Sequence, residues 1–73
     1  MMCIAAMKTM TAAQKGKRSL QKAGIQSEIV SLDASLTKNG CAYGLKFSQS
    51  HAQRAETIFQ RSNISYGDIL GGY

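Results

Sequence analysis

The chain of 73 residues contains no proline, two cysteines, one histidine and four acidic residues. Without proline and without low-complexity runs the sequence offers no linker, and its length predicts one domain over residues 1–73. Two cysteines are too few for the disulfide framework of a small secreted domain. No stretch approaches the ~20 apolar residues that span a bilayer, so we expect no membrane association.

The N-terminus lacks the long apolar run and the small-residue cleavage site of a signal peptide. We therefore expect a cytoplasmic protein in which Cys3 and Cys41 are reduced thiols. One histidine and no C-x-x-C pair leave too few ligands for zinc, and there is no glycine-rich phosphate loop or dinucleotide fingerprint. The sequence therefore predicts neither a metal nor a cofactor.

Basic residues outnumber acidic ones by nine to four, which gives a net charge of +5. This balance is compatible with a nucleic acid, an anionic ligand or an acidic protein partner. A solvated outer helix face is the simpler explanation, because four of the basic residues fall in one predicted helix: Lys15, Lys17, Arg18 and Lys22.

Hydrophobic periodicity and turn residues divide the chain into six elements, in the order strand, helix, strand, strand, helix, strand: residues 2–8, 11–23, 25–32, 41–47, a helix that begins with residues 50–53, and 64–70. Thr11 and Ser50 each begin a predicted capping box, and Gly24 stands where a left-handed residue ends a helix. A polar loop, residues 33–40, separates the two middle strands. Two right-handed crossovers in this order predict an α+β, ferredoxin-like two-layer sandwich whose antiparallel sheet has strand order 4-1-3-2.

Cys41 is the best candidate for chemistry. In this topology the start of the third strand and residues 8–11, at the start of the first helix, share one end of the sheet. The positive end of that helix, with Lys8 and Lys38 nearby, would lower the pKa of the thiol and favour the thiolate. Cys41 could then accept sulfur or selenium. The predicted binding residues around its thiol are Lys8, Thr9, Thr11, Lys38 and Gly40.

A core position is the competing interpretation of Cys41, because free cysteine is among the most buried residue types. Cys41 also shares the face of its strand with Leu45 and Phe47. Cys3 opens the first strand at the other end of the sheet, near Phe47, and is interpreted as a structural thiol. His51 is predicted to lie at the same end of the sheet as Cys3 and therefore at the opposite end from Cys41. The sequence consequently does not predict a Cys–His catalytic pair.

The segment Gly-Cys-Ala-Tyr-Gly, residues 40–44, resembles the selenium/sulfur carrier protein-like domains, a bacterial family of unknown function. The resemblance extends over nearly the whole chain, through residues 8–14, 22–30 and 36–39. It implies that Cys41 carries sulfur or selenium, and that such domains occur beside or fused to TusA-like sulfur-carrier domains. Many members of the family have proline or arginine in the loop before the cysteine, whereas this chain has no proline there and Lys38 where an arginine would stand.

We therefore expect a carrier rather than an enzyme, which receives its atom from a cysteine desulfurase-like donor and passes it to a protein acceptor. The alternative is a small non-catalytic interaction module that dimerises or docks through the outer sheet face, where Ala42 and Gly44 leave room for another layer. RNA binding is disfavoured, because the outer positions of the third strand are Ala42, Gly44 and Lys46 and the first strand has no aromatic residue.

Overall fold

The computed structural model of the protein describes residues 1–32 and 42–71, which contain four strands and two α-helices. In chain order the elements are β1 (Met2–Met7), α1 (Met10–Lys22), β2 (Ser27–Ser31), β3 (Tyr43–Ser48), α2 (Ala52–Arg61) and β4 (Ile69–Leu70). A short 3₁₀ turn, Gln49–His51, leads into α2.

The four strands form one antiparallel sheet in the order β2-β3-β1-β4, which confirms the predicted order. In the centre of the sheet β1 pairs with β3, with Cys3 opposite Phe47 and Met7 opposite Tyr43. Both connections through a helix, from β1 to β2 and from β3 to β4, join strands that run in the same direction. The ferredoxin-like α+β prediction is therefore confirmed.

The core lies between the sheet and the two helices. Alternate residues of β1 and β3, among them Met7, Leu45 and Phe47, face this core. The helices contribute small or apolar residues at helical spacing: Ala13, Gly16 and Leu20 from α1, and Ala55 and Phe59 from α2. At Gly16 an added Cβ would lie 2.6 Å from Cδ1 of Leu45, so the missing side chain lets α1 approach β3 closely.

Thr9, and not the predicted Thr11, caps the start of α1. Its backbone is extended, and its Oγ1 accepts a hydrogen bond of 3.1 Å from the N–H of Ala12. The helix therefore begins one residue earlier than predicted, at Met10. A capping pattern identifies a threonine near a helix start, but two threonines lie close together here, and the conformation of the preceding strand decides between them.

Both helices end in a Schellman motif, in which the left-handed residue and its successor donate to carbonyls of the last turn. Gly24 has φ +80°, as predicted, and the N–H of Ile25 donates to the carbonyl of Leu20 over 2.8 Å. Asn63 has φ +53° at the end of α2, where the N–H of Ile64 donates to the carbonyl of Phe59 over 2.9 Å.

The motif at the end of α1 explains why β2 starts at Ser27 rather than at the predicted residue 25. Ile25 still belongs to the helix-ending motif, and its side chain is buried in the core. The predicted capping box at Ser50 is also wrong. His51 is the residue that precedes α2 and makes no side-chain capping bond, while the Ser50 hydroxyl lies 2.9 Å from that of Ser48.

The last strand is shorter than the predicted range 64–70, because its alternation breaks at residues 67 and 68. Ala6 accepts a bond from the N–H of Gly67 and donates one to the carbonyl of Asp68, so two residues oppose one, as in a β-bulge. Tyr66 and Ile69 consequently both pack against the core although they are three residues apart. Only Ile69–Leu70 pair regularly with β1.

Candidate functional site

The end of β1 and the start of β3 lie side by side, as the register between Met7 and Tyr43 shows. Lys8 and Thr9 follow β1 directly and lead into the first turn of α1. Ala42, the covalent neighbour of Cys41, is exposed, and its carbonyl accepts a 2.8 Å bond from the N–H of Leu32. One end of the sheet therefore brings together the start of α1 and the entry into β3.

A depression of about 360 Å³ lies at this end, between the start of α1 and the turn after α2. Two lysines and three hydroxyl residues contribute to its lining, and no acidic residue among residues 1–32 and 42–71 does. The N-terminal end of α1 adds partial positive charge, which favours an anion. Eight of the described residues line the depression: Lys8, Thr9, Thr11, Ala12, Lys15, Asn63, Ile64 and Ser65.

Three of the predicted binding residues, Lys8, Thr9 and Thr11, thus share one surface feature, and all three are exposed. Cys41, Lys38 and Gly40 lie outside the described residues, so their predicted roles stay predictions. Lys15 and Ser65 were missed by the sequence analysis. Lys15 stands four residues after Thr11 and therefore lies on the same side of α1. Ser65 follows α2 and lines the depression only because α2 packs beside α1.

Cys3 is a free thiol and is 1% exposed, which agrees with its predicted structural role. Its side chain belongs to the core between the sheet and the helices. Burial raises the pKa of this thiol, because the surroundings disfavour the charged form. Cys3 is therefore unsuited to be a nucleophile, since the reactive species is the thiolate.

His51 lies at the opposite end of the sheet from Lys8. It follows the end of β3, where Ser48 pairs with Met2 and the N–H of Gln49 donates to the carbonyl of Met1. Within residues 1–32 and 42–71, no three His, Cys, Asp or Glu side chains come close enough together to hold a metal ion. No helix in this part of the chain is long and apolar enough to cross a membrane.

The outer face of the sheet carries less open space than the sequence predicts. A Cβ added to Gly44 would lie 2.5 Å from Cγ2 of Ile4 and 3.0 Å from Cδ1 of Leu32. These two side chains therefore already occupy the position above Gly44, and Ile4 and Gly44 are both buried. Ala42 is exposed. A homodimer through this face stays a prediction.

These features define the class of the protein. It is a small ferredoxin-like domain with a basic, hydroxyl-lined depression at one end of its sheet. The family model described as "Putative Se/S carrier protein-like" matches residues 2–70. The chain belongs to this family, because the match extends over almost its entire length. In the other two comparisons no curated protein and no solved structure matched the chain.

Proposed function

We propose that the protein is a sulfur or selenium carrier in which the thiolate of Cys41 accepts the transferred atom. The observation that carries this proposal is the family match over residues 2–70. Cys41 is the preferred acceptor because the other cysteine, Cys3, is buried in the core and has a raised pKa. A carrier restores its thiol at the end of each cycle, so no net chemistry remains on the protein.

The transfer step balances without an external oxidant or reductant. The Cys41 thiolate attacks the terminal sulfur of a donor persulfide, R–S–SH, and forms a new S–S bond. The S–S bond of the donor breaks, and the donor sulfur leaves as the thiolate R–S⁻. Cys41 then carries the sulfur as a persulfide, Cys41–S–SH, and the same exchange with R–S–SeH yields a selenenyl sulfide.

Lys8, Thr9 and Thr11 support the proposal as a positively charged and hydrogen-bonding environment at the end of the sheet where β3 begins. Positive charge stabilises both the thiolate before transfer and the anionic persulfide after it. Lys15 lines the same depression and adds a second charge that the sequence analysis did not include. Lys38 and Gly40, which precede Cys41 in the sequence, complete the proposed set.

Mass spectrometry after incubation with a cysteine desulfurase and free cysteine tests the proposal. We expect one added sulfur atom, located on Cys41 by fragmentation, and its loss in Cys41→Ser. Cys3→Ala is the matched control and should still accept the atom. Equal labelling of Cys41→Ser and the parent protein, or labelling of Cys3 alone, would contradict the proposal.

A second measurement tests the electrostatic part. Alkylation of Cys41 at neutral pH should slow in Lys8→Gln/Lys15→Gln by up to about fivefold for each lysine, since an exposed charge contributes at most ~1 kcal/mol. The matched control Lys17→Gln/Lys22→Gln also removes two charges, from positions of α1 that do not line the depression. Identical alkylation rates in all three proteins would show that these lysines do not act on Cys41.

A further inference from the structure

The outer surface of the two helices is strongly and asymmetrically charged. It carries six basic residues, all exposed, and one acidic residue, Glu56. Within the part of the chain that the structure describes, none of the six forms an ion pair. A surface that serves only solubility usually mixes both signs. The six residues are Lys15, Lys17, Arg18, Lys22, Arg54 and Arg61.

A groove of about 550 Å³ runs along α2 on the side that faces the end of α1. Arg54 and Arg61 line it, and because they are seven residues apart they lie on one stripe of the helix. Ile58 and Ala23, both half-buried against the core, contribute its apolar part. Glu56 lies on another side of α2 and does not line the groove.

The chemistry of the groove favours a protein over a nucleic acid. Arginine binds carboxylates through two parallel hydrogen bonds, and an apolar floor between two arginines accepts an aliphatic side chain. Proteins that bind single strands stack the bases on exposed aromatic rings. Among the residues that the structure describes, no aromatic one lines the groove, and Tyr43 and Tyr66 are packed against the core.

We propose that this groove along α2 docks an acidic segment of a partner protein. Carboxylates of this segment pair with Arg54 and Arg61, and an aliphatic side chain rests on Ile58 and Ala23. The remaining charges of the helix surface increase the rate of encounter with an acidic partner. This inference goes beyond the proposed function, because docking at the helices does not require the thiol of Cys41.

The test is an NMR titration of the isotope-labelled protein with a short synthetic peptide in which glutamates flank a leucine. We expect shifts of the amide signals of Ile58, Arg61 and Ala23, and binding that weakens as salt is added. Arg54→Gln/Arg61→Gln should weaken binding by up to about fivefold for each arginine. The matched control Lys17→Gln/Lys46→Gln removes the same charge outside the groove and should weaken binding much less.

Three results would overturn the inference. These are equal weakening in the two double variants, equal binding of a peptide with glutamine in place of glutamate, and tighter binding of a single-stranded RNA of equal charge. Cys41→Ser separates this inference from the proposed function, because we expect it to bind the peptide normally while it fails to accept sulfur. Conversely, peptide binding without sulfur transfer in the parent protein would contradict the proposed function and leave the docking inference intact.

Discussion

Replacement of Thr9 by alanine should destabilise the protein, whereas replacement of Thr11 should not. Thr9 Oγ1 accepts the 3.1 Å bond from the N–H of Ala12, so Thr9→Ala leaves a donor of the first helical turn without its side-chain partner. Loss of such a cap costs about 1 kcal/mol. Thr11 lies inside α1 and is exposed, where alanine is the better helix former by up to ~0.6 kcal/mol.

The two variants should therefore differ by about 1.5 kcal/mol in the free energy of unfolding, since the two effects have opposite signs. For a domain of this size 1 kcal/mol corresponds to a shift of about 4–8 °C in Tm. Thermal unfolding followed by circular dichroism measures the difference directly. Thr9→Ser keeps the hydroxyl and should retain most of the stability. If Thr11→Ala were the less stable of the two alanine variants, the assignment of the cap would be wrong.

Two further predictions concern the helix end and the buried thiol. Gly24→Ala should cost about 1 kcal/mol in thermal unfolding, because the left-handed φ of +80° disfavours a Cβ although no atom would lie within 4 Å of it. Gly24→Asn should recover part of that loss. Equal stability of Gly24→Ala and the parent protein would refute the argument. The folded protein keeps the Cys3 proton above the ordinary pKa of 9.0, whereas the unfolded chain releases it, so the stability advantage of the parent over Cys3→Ala should shrink as the pH rises above 9. Urea unfolding below and above this pH measures the difference, and an advantage that grows with pH would contradict the burial of the thiol.

The topology was predictable because each element has a strong local signal. The apolar run of β1, the alternation of β3 and the stripes of both helices all agree, and together they leave one sheet order for two right-handed crossovers. The boundaries were less predictable. Ile25 and Ile64 are β-branched residues of the kind that favours strands. In the structure each instead donates the last hydrogen bond of a helix-ending motif, and its side chain is buried in the core.

The sequence predicts those residues of the candidate site that are close together in the chain. Lys8, Thr9 and Thr11 lie within four residues and necessarily share the start of α1. The other side of the depression, formed by residues 63–65, depends on how α2 packs beside α1. The left-handed Asn63 is a local signal that could have been recognised, since asparagine is the usual substitute for glycine at a helix end.

The burial of Cys3 bears on the proposed carrier. A reactive thiol besides the acceptor could attack the persulfide and either take its outer sulfur or release that sulfur and form a disulfide. Cys3 is excluded from both reactions because its sulfur lies in the core and burial keeps it protonated. If Cys41 is the acceptor, the fold therefore confines the transferred atom to a single thiol, so a loaded protein carries one atom and not two.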